Sequence, residues 1–195
     1  MDDGSKKYVV IRNALTAQAC ELVKNSMTIT KDAHYFVKKV PFTDVNYFAD
    51  SQPVGSNCYA IYSAVVNEGL LLTLLPQIEQ AWGKELYPTY SFARIYWRGA
   101  SMVKHVDRPA CEISASLCIS VDGDPWPIWV DGEELTLQPG DLVTYKGLEV
   151  EHWRERYEGH QQVQVFLHYV DKHGPHAGEK YDKRPMLGLQ TQRGG

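Results

Sequence analysis

The chain has 195 residues, with 20 Lys and Arg against 24 Asp and Glu for a formal net charge of −4, and is 44% hydrophobic and 23% charged. That length and balance fit one globular domain with a sizeable core. With no basic run, no apolar stretch long enough to span a bilayer and no apolar leader core, neither a nucleic acid nor a membrane is expected as a partner. The four cysteines (Cys20, Cys58, Cys111, Cys118) show no C-x-x-C spacing, which argues against a zinc finger. Cys111 and Cys118 lie in an apolar stretch and read as buried free thiols. A reducing, cytoplasmic setting follows as the expectation. Nothing in the residues fixes an oligomeric state.

Residues 7–15, centred on Tyr8-Val9-Val10-Ile11, read as a strand. Thr16 is a candidate N-cap for a helix over 17–27, with apolar residues at Cys20, Val23 and Met27. Residues 29–58, with Pro41, Pro53 and Gly55, read as loops with short strands. Residues 59–82 look helical, with Pro76 either a kink or a second start and Gly83 as the stop. From Thr89 the pattern changes to short strands over 90–96, 102–107, 112–120, 128–130, 134–137, 141–145 and 163–170, separated by Gly turns. Helices first and closely spaced strands second predict an α+β chain whose β-part is a sandwich, barrel or jelly roll. The whole is expected to be one domain over 1–195. It divides into a strand–helix part (1–88), a β-core (89–170) and a tail (171–195) that runs over the surface. The tail and residues 29–58 are candidate lids.

The chemistry concentrates in Met102-Val103-Lys104-His105-Val106-Asp107-Arg108-Pro109. On an extended segment, His105 and Asp107 share a face. An imidazole beside a carboxylate is two thirds of a 2-His-1-carboxylate triad, and His152, at the end of an apolar strand begun by Pro139-Gly140-Asp141, is the candidate third ligand. Residues 162–169 alternate strictly. Gln162, Gln164, Phe166 and His168 fall on one face, which is expected to line a wet site. Val163, Val165, Leu167 and Tyr169 fall on the other, which is expected to pack under a helix. Trp126, Trp129 and Trp153 belong either to the core or to a substrate pocket. Arg108 adjoins the metal pair and is a candidate substrate contact.

The order His-x-Asp, Pro-Gly-Asp, His, then a strand, together with Ile95-Tyr96-Trp97-Arg98-Gly99 ahead of His105, resembles the Fe(II)/2-oxoglutarate-dependent dioxygenases. Within them it is most similar to the prolyl-hydroxylase-like and phytanoyl-hydroxylase-like branch. The resemblance covers about residues 8–170. It implies a double-stranded β-helix (jelly roll) with N-terminal helices packed on one sheet. It also implies Fe(II) held by His105, Asp107 and His152, with 2-oxoglutarate and O2 as co-substrates and Tyr96 beside the 2-oxo acid. An aspartate at 107 leaves no position for a halide, which favours hydroxylation. The implied reaction is oxidation of a C–H bond in an amino acid, a peptide or another small molecule, with release of succinate and CO2.

One departure stands out. The family pairs the distal carboxylate with Arg or Lys about ten residues past the second histidine, and here that position is Gln162. A buried carboxylate without a cation is costly. Arg154 and Arg94 are the candidate replacements, with Gln164 and His168 as neutral donors. The missing cation keeps two alternatives open. One is a non-catalytic, cupin-like metal- or ligand-binding module. The other is a cupin-type dioxygenase that needs no co-substrate.

Overall fold

A computed structural model of the chain describes residues 6–38 and 57–184. Strand β1 (Tyr8–Ile11) leads into helix α1 (Ala17–Lys38), and Thr16 Oγ1 accepts the Ala19 N–H at its start, as an N-cap does. The helix runs eleven residues past the expected end at Met27. The Thr28 and Thr30 hydroxyls donate to the carbonyls of Lys24 and Ser26, four residues back, and so are satisfied inside a helix they disfavour. Residues 29–38 are therefore helix rather than loop, while 39–56 and 185–195 lie outside the described residues.

The expected helix over 59–82 is instead two elements, strand β2 (Cys58–Tyr62) and helix α2 (Val65–Trp82). Ser63, at φ 51°, turns the chain between them. The helix is continuous through Pro76, and Gly83, at φ 63°, closes it with a left-handed cap whose N–H reaches the Glu79 carbonyl. The remaining strands are β3 (Leu86–Trp97), β4 (Met102–His105), β5 (Ile113–Asp122), β6 (Ile128–Val130), β7 (Glu133–Leu135), β8 (Leu142–Lys146), β9 (His152–Arg154) and β10 (Gln161–Asp171). His152 opens the short strand β9; the apolar strand before it, β8, stops at Lys146.

The strands form two antiparallel sheets, β1-β8-β5-β10-β3-β2 and β4-β9-β6-β7. From β3 to β10 the chain passes back and forth between them, which makes the β-core a jelly roll. The alternation read in residues 162–169 sets its layers. Val163, Val165, Leu167 and Tyr169 face out and pack with Val23, Met27, Leu70, Leu71, Leu74 and Ile78 of the two helices. The Tyr169 hydroxyl donates to the Leu71 carbonyl at 3.0 Å, and the Trp82 indole N–H donates to Thr144 Oγ1 at 3.0 Å. Gln162, Gln164, Phe166 and His168 face the space between the sheets and are buried there. Among the described residues no helix is long and apolar enough to cross a membrane.

Candidate metal centre

The two histidines meet because β4 and β9 are neighbours in the smaller sheet, with His105 directly opposite His152 and ring centroids 4.2 Å apart. Each ring is oriented by its own strand. His105 Nδ1 lies 2.8 Å from the Val103 carbonyl and His152 Nδ1 3.0 Å from the Val150 carbonyl. A carbonyl only accepts, so Nδ1 carries the proton and Nε2 presents a lone pair. Asp107 follows β4, held by its backbone N–H to the Gly147 carbonyl at 2.8 Å. Its Oδ1 stands 3.8 Å from His105 Nε2 and 3.7 Å from His152 Nε2. Two imidazole lone pairs and one carboxylate oxygen thus converge on one point, a donor set that fits a divalent transition metal such as Fe(II).

The electrostatics match that use. Burial lowers the His105 pKa, helped by the neighbouring His152. Burial likewise brings His152 down to about 4, against the pull of the Val150 carbonyl. Both rings are neutral at pH 7 and need lose no proton to ligate. Burial pushes Asp107 up to about 6, although Ser114, His105 and Arg108 favour its ionised form. A buried carboxylate facing two neutral lone pairs is short of a cation.

Deeper between the sheets sits Arg154, 2% exposed, on the same face of β9 as His152. Its Nη1 donates to the Trp126 carbonyl and its guanidinium lies 5.0 Å from the Trp126 ring centroid. Its Nε and Nη2, and Gln164 Nε2 on the facing sheet, are buried donors with no acceptor among the described residues. Arg94 lies opposite Gln164 in the β3–β10 register and donates to Tyr96 Oη at 3.3 Å. Gln162, where the family places a cation, accepts the Trp126 N–H at 3.0 Å. His168 is apart from this group. Its Nδ1 lies 2.9 Å from Ser114 Oγ, and burial first, then Arg108 and His152, bring its pKa down to about 3.

Of the tryptophans, Trp126 packs inside against Tyr96 and Tyr157. Trp129 and Trp153 stack on each other, half-exposed, with ring centroids 5.4 Å apart. Arg108 is bound by the tail, its two Nη groups donating to the Asp182 carboxylate at 2.8 and 2.9 Å. Three contributors went unread in the sequence: Ser114, Gly147 and Asp182. Ser114 had a signal, since Ser114, Ser116 and Cys118 alternate with apolar residues along β5. Gly147 and Asp182 gave none beyond a turn and a charge.

No protein-family model and no curated protein matches the chain. Solved structures do. An oxidoreductase of the 2OG-Fe(II) oxygenase family from Burkholderia pseudomallei aligns with TM-score 0.62 at 12% identity, covering 86% of this chain and 85% of that one. A Pseudomonas putida prolyl-4-hydroxylase aligns at 0.59 and 14%, covering 87% and 95%. HygX from Streptomyces hygroscopicus, with nickel and 2-oxoglutarate bound, aligns at 0.61 and 9%, covering 87% and 85%. The chain has the fold of the 2-oxoglutarate–Fe(II) oxygenases, a double-stranded β-helix with its N-terminal helices on the larger sheet.

Proposed function

We propose that the chain is an Fe(II)- and 2-oxoglutarate-dependent dioxygenase that hydroxylates a C–H bond of an amino acid, a peptide or another small molecule. The observation that carries this reading is the convergence of His105 Nε2, His152 Nε2 and Asp107 Oδ1 in a jelly roll. His105, Asp107 and His152 would hold the iron on one side and leave its other positions to ligands. When bound, the iron with 2-oxoglutarate and O2 supplies the oxidising chemistry, releasing succinate and CO2.

The chain's own residues do the rest. Arg154 takes the distal carboxylate in place of the cation absent at 162. Its unused Nε and Nη2, with Gln164 Nε2, form a donor-only set that an anionic acceptor satisfies. Trp126 orients Arg154 through its carbonyl and ring face. Tyr96 and Arg94 flank the same space, and Tyr157, Trp126 and Phe166 keep it poor in water. A fixed cation in such a setting would hold the 2-oxo acid by its distal carboxylate and so orient it.

The deciding experiment is anaerobic titration of the Fe(II)-loaded chain with 2-oxoglutarate, following the visible charge-transfer band of a chelated 2-oxo acid. A saturable band is expected in wild type. Arg154→Ala should raise the dissociation constant about 10- to 100-fold, the cost of losing hydrogen bonds to a charged group, while Gln162→Ala should change it little. Iron bound without any band in wild type would move the chain to the binding-module or co-substrate-free reading.

A further inference from the structure

We propose that Ser114, His168 and Gly147 form a cradle that fixes Asp107 as a one-oxygen metal ligand, so that the position a chelating carboxylate would take stays open to the co-substrate. The inference rests on the reading of the site as an Fe(II)/2-oxoglutarate centre and assigns positioning roles to residues outside the ligand set.

The two oxygens of Asp107 have separate environments. Oδ1 faces the two imidazoles at 3.8 and 3.7 Å. Oδ2 is 2.5 Å from Ser114 Oγ. An ionised carboxylate only accepts, so the single Ser114 proton lies on that line. Ser114 Oγ is also 2.9 Å from His168 Nδ1 and cannot donate twice, so the His168 N–H donates to Ser114. That bond occupies a lone pair of the hydroxyl and sets its rotation. The alternative acceptor for the Ser114 proton, the Cys111 carbonyl, is farther off at 3.2 Å. The chain His168 N–H to Ser114 O–H to Asp107 Oδ2 therefore runs in one direction and ends on the carboxylate oxygen that does not face the histidines.

Gly147 completes the cradle from the turn after β8. Its carbonyl accepts the Asp107 N–H at 2.8 Å and its N–H donates to the Glu112 carbonyl at 2.9 Å. A Cβ there would lie 2.6 Å from Asp107 Oδ2, 2.8 Å from Ser114 Oγ and 2.1 Å from the Cys111 carbonyl oxygen. Glycine is required here first by the Cys111 carbonyl, and then by the close approach of the carboxylate and the hydroxyl. Strand β5 thus holds the oxygen that does not face the histidines, β10 orients the hydroxyl that does so, and the turn after β8 holds the Asp107 backbone.

If Ser114 releases Oδ2, the carboxylate is free to close on the metal with both oxygens and to compete with the 2-oxo acid. The test uses the full chain loaded anaerobically with Co(II), whose visible bands report coordination number, and calorimetric titration first with Co(II) and then with 2-oxoglutarate. Ser114→Ala is expected to keep Co(II), alter its spectrum and weaken 2-oxoglutarate by roughly 10- to 100-fold, the range typical of partners that orient metal ligands. His168→Gln, which keeps an N–H donor, should stay near wild type, and His168→Phe should shift toward Ser114→Ala. Gly147→Ala, which displaces both groups, should weaken Co(II) itself. A Ser114→Ala protein with wild-type spectrum and 2-oxoglutarate affinity overturns the proposal. If that variant does not fold, equal 2-oxoglutarate affinities for His168→Phe and His168→Gln overturn it instead. Failure of wild type to bind Co(II) or 2-oxoglutarate would sink the reading of the site, a separate result.

Discussion

Each imidazole at the centre gives its Nδ1 proton to a carbonyl two residues upstream, and that choice leaves Asp107 to set the pH response. Both histidines are already neutral at pH 7, because burial lowers their pKa values. Asp107, raised by burial to about 6, must lose its proton to ligate. Metal affinity should therefore be flat above about pH 6 and fall roughly tenfold per pH unit just below it; a fall beginning well above pH 7 would assign the limiting proton to another group. Keeping this carboxylate ionised near neutrality costs the apoprotein roughly 3 kcal/mol. The sign is that of a raised acid: the penalty is full above the folded pKa and disappears as pH falls toward 4. A divalent ion removes it, so added Co(II) or Mn(II) should raise the melting temperature at pH 7, and Asp107→Ala should abolish that rise.

At the scale of elements, the Pro139-Gly140-Asp141 turn ties the N-terminal strand to the jelly roll. Gly140 has φ 91° and its carbonyl accepts the Leu15 N–H at 3.1 Å; a Cβ there would meet the Leu15 carbonyl oxygen at 2.5 Å. Asp141 accepts the N–H groups of Asn13 and Gln138, both at 3.0 Å, and Arg12 Nη1 at 2.7 Å. Burial alone would raise its pKa, but these donors outweigh it and hold the carboxyl below its usual value. Asp141→Ala should cost about 1–3 kcal/mol, chiefly from backbone N–H groups left unpaired, since Arg12 is mostly solvated. As a lowered acid, Asp141 gives its full stabilisation above about pH 4, and the contribution is lost as pH falls through its folded pKa. Denaturant midpoints of wild type and variant should converge at low pH; a constant difference from pH 7 to 3 would contradict the assignment. The same scale explains the misread elements. Residues 59–62 look like part of the following helix because Ser63 alone separates their apolar residues from Ala64-Val65-Val66. Pairing of Cys58–Tyr62 with β3 makes them an edge strand. The three-residue strand at His152 is too short for any period to register, and only its partners β4 and β6 define it.

Across the whole molecule, residues Ala177–Lys183 of the tail pack against β3 and β10. Asp182 takes both Nη groups of Arg108 and the Tyr62 hydroxyl. Arg184 donates to Glu68 Oε2 at 2.9 Å, and the side chains of this pair are 1% and 6% exposed. The segment turns through Tyr181, Asp182 and Lys183 at positive φ, a conformation that L-residues hold only when their surroundings enforce it. Arg184→Ala should cost about 3–5 kcal/mol, because Glu68, bonded also to the Ser91 N–H and hydroxyl, is left buried and uncompensated. The double variant Arg184→Met/Glu68→Gln should recover much of that in chemical unfolding. Equal losses in both would mean the pair contributes through packing alone.

The periods are legible in the sequence alone, and so is the pair His105 and Asp107 as candidate ligands. The strict alternation of Gln162 to Tyr169 needs no partner to be read, because side chains of a strand always alternate, and it correctly divides a helix-facing side from an interior one. His105 and Asp107 are near in space because they are near in the chain. Every relation across strands, by contrast, belongs to the tertiary structure. The approach of His152 to His105 depends on β9 pairing with β4. The unused donors of Arg154 become visible only once Trp126 and the facing sheet surround it. The hold on Asp107 is built from Ser114, Gly147 and His168, which lie 7, 40 and 61 positions further along the chain and meet through hydrogen bonds and close approach that no local pattern encodes.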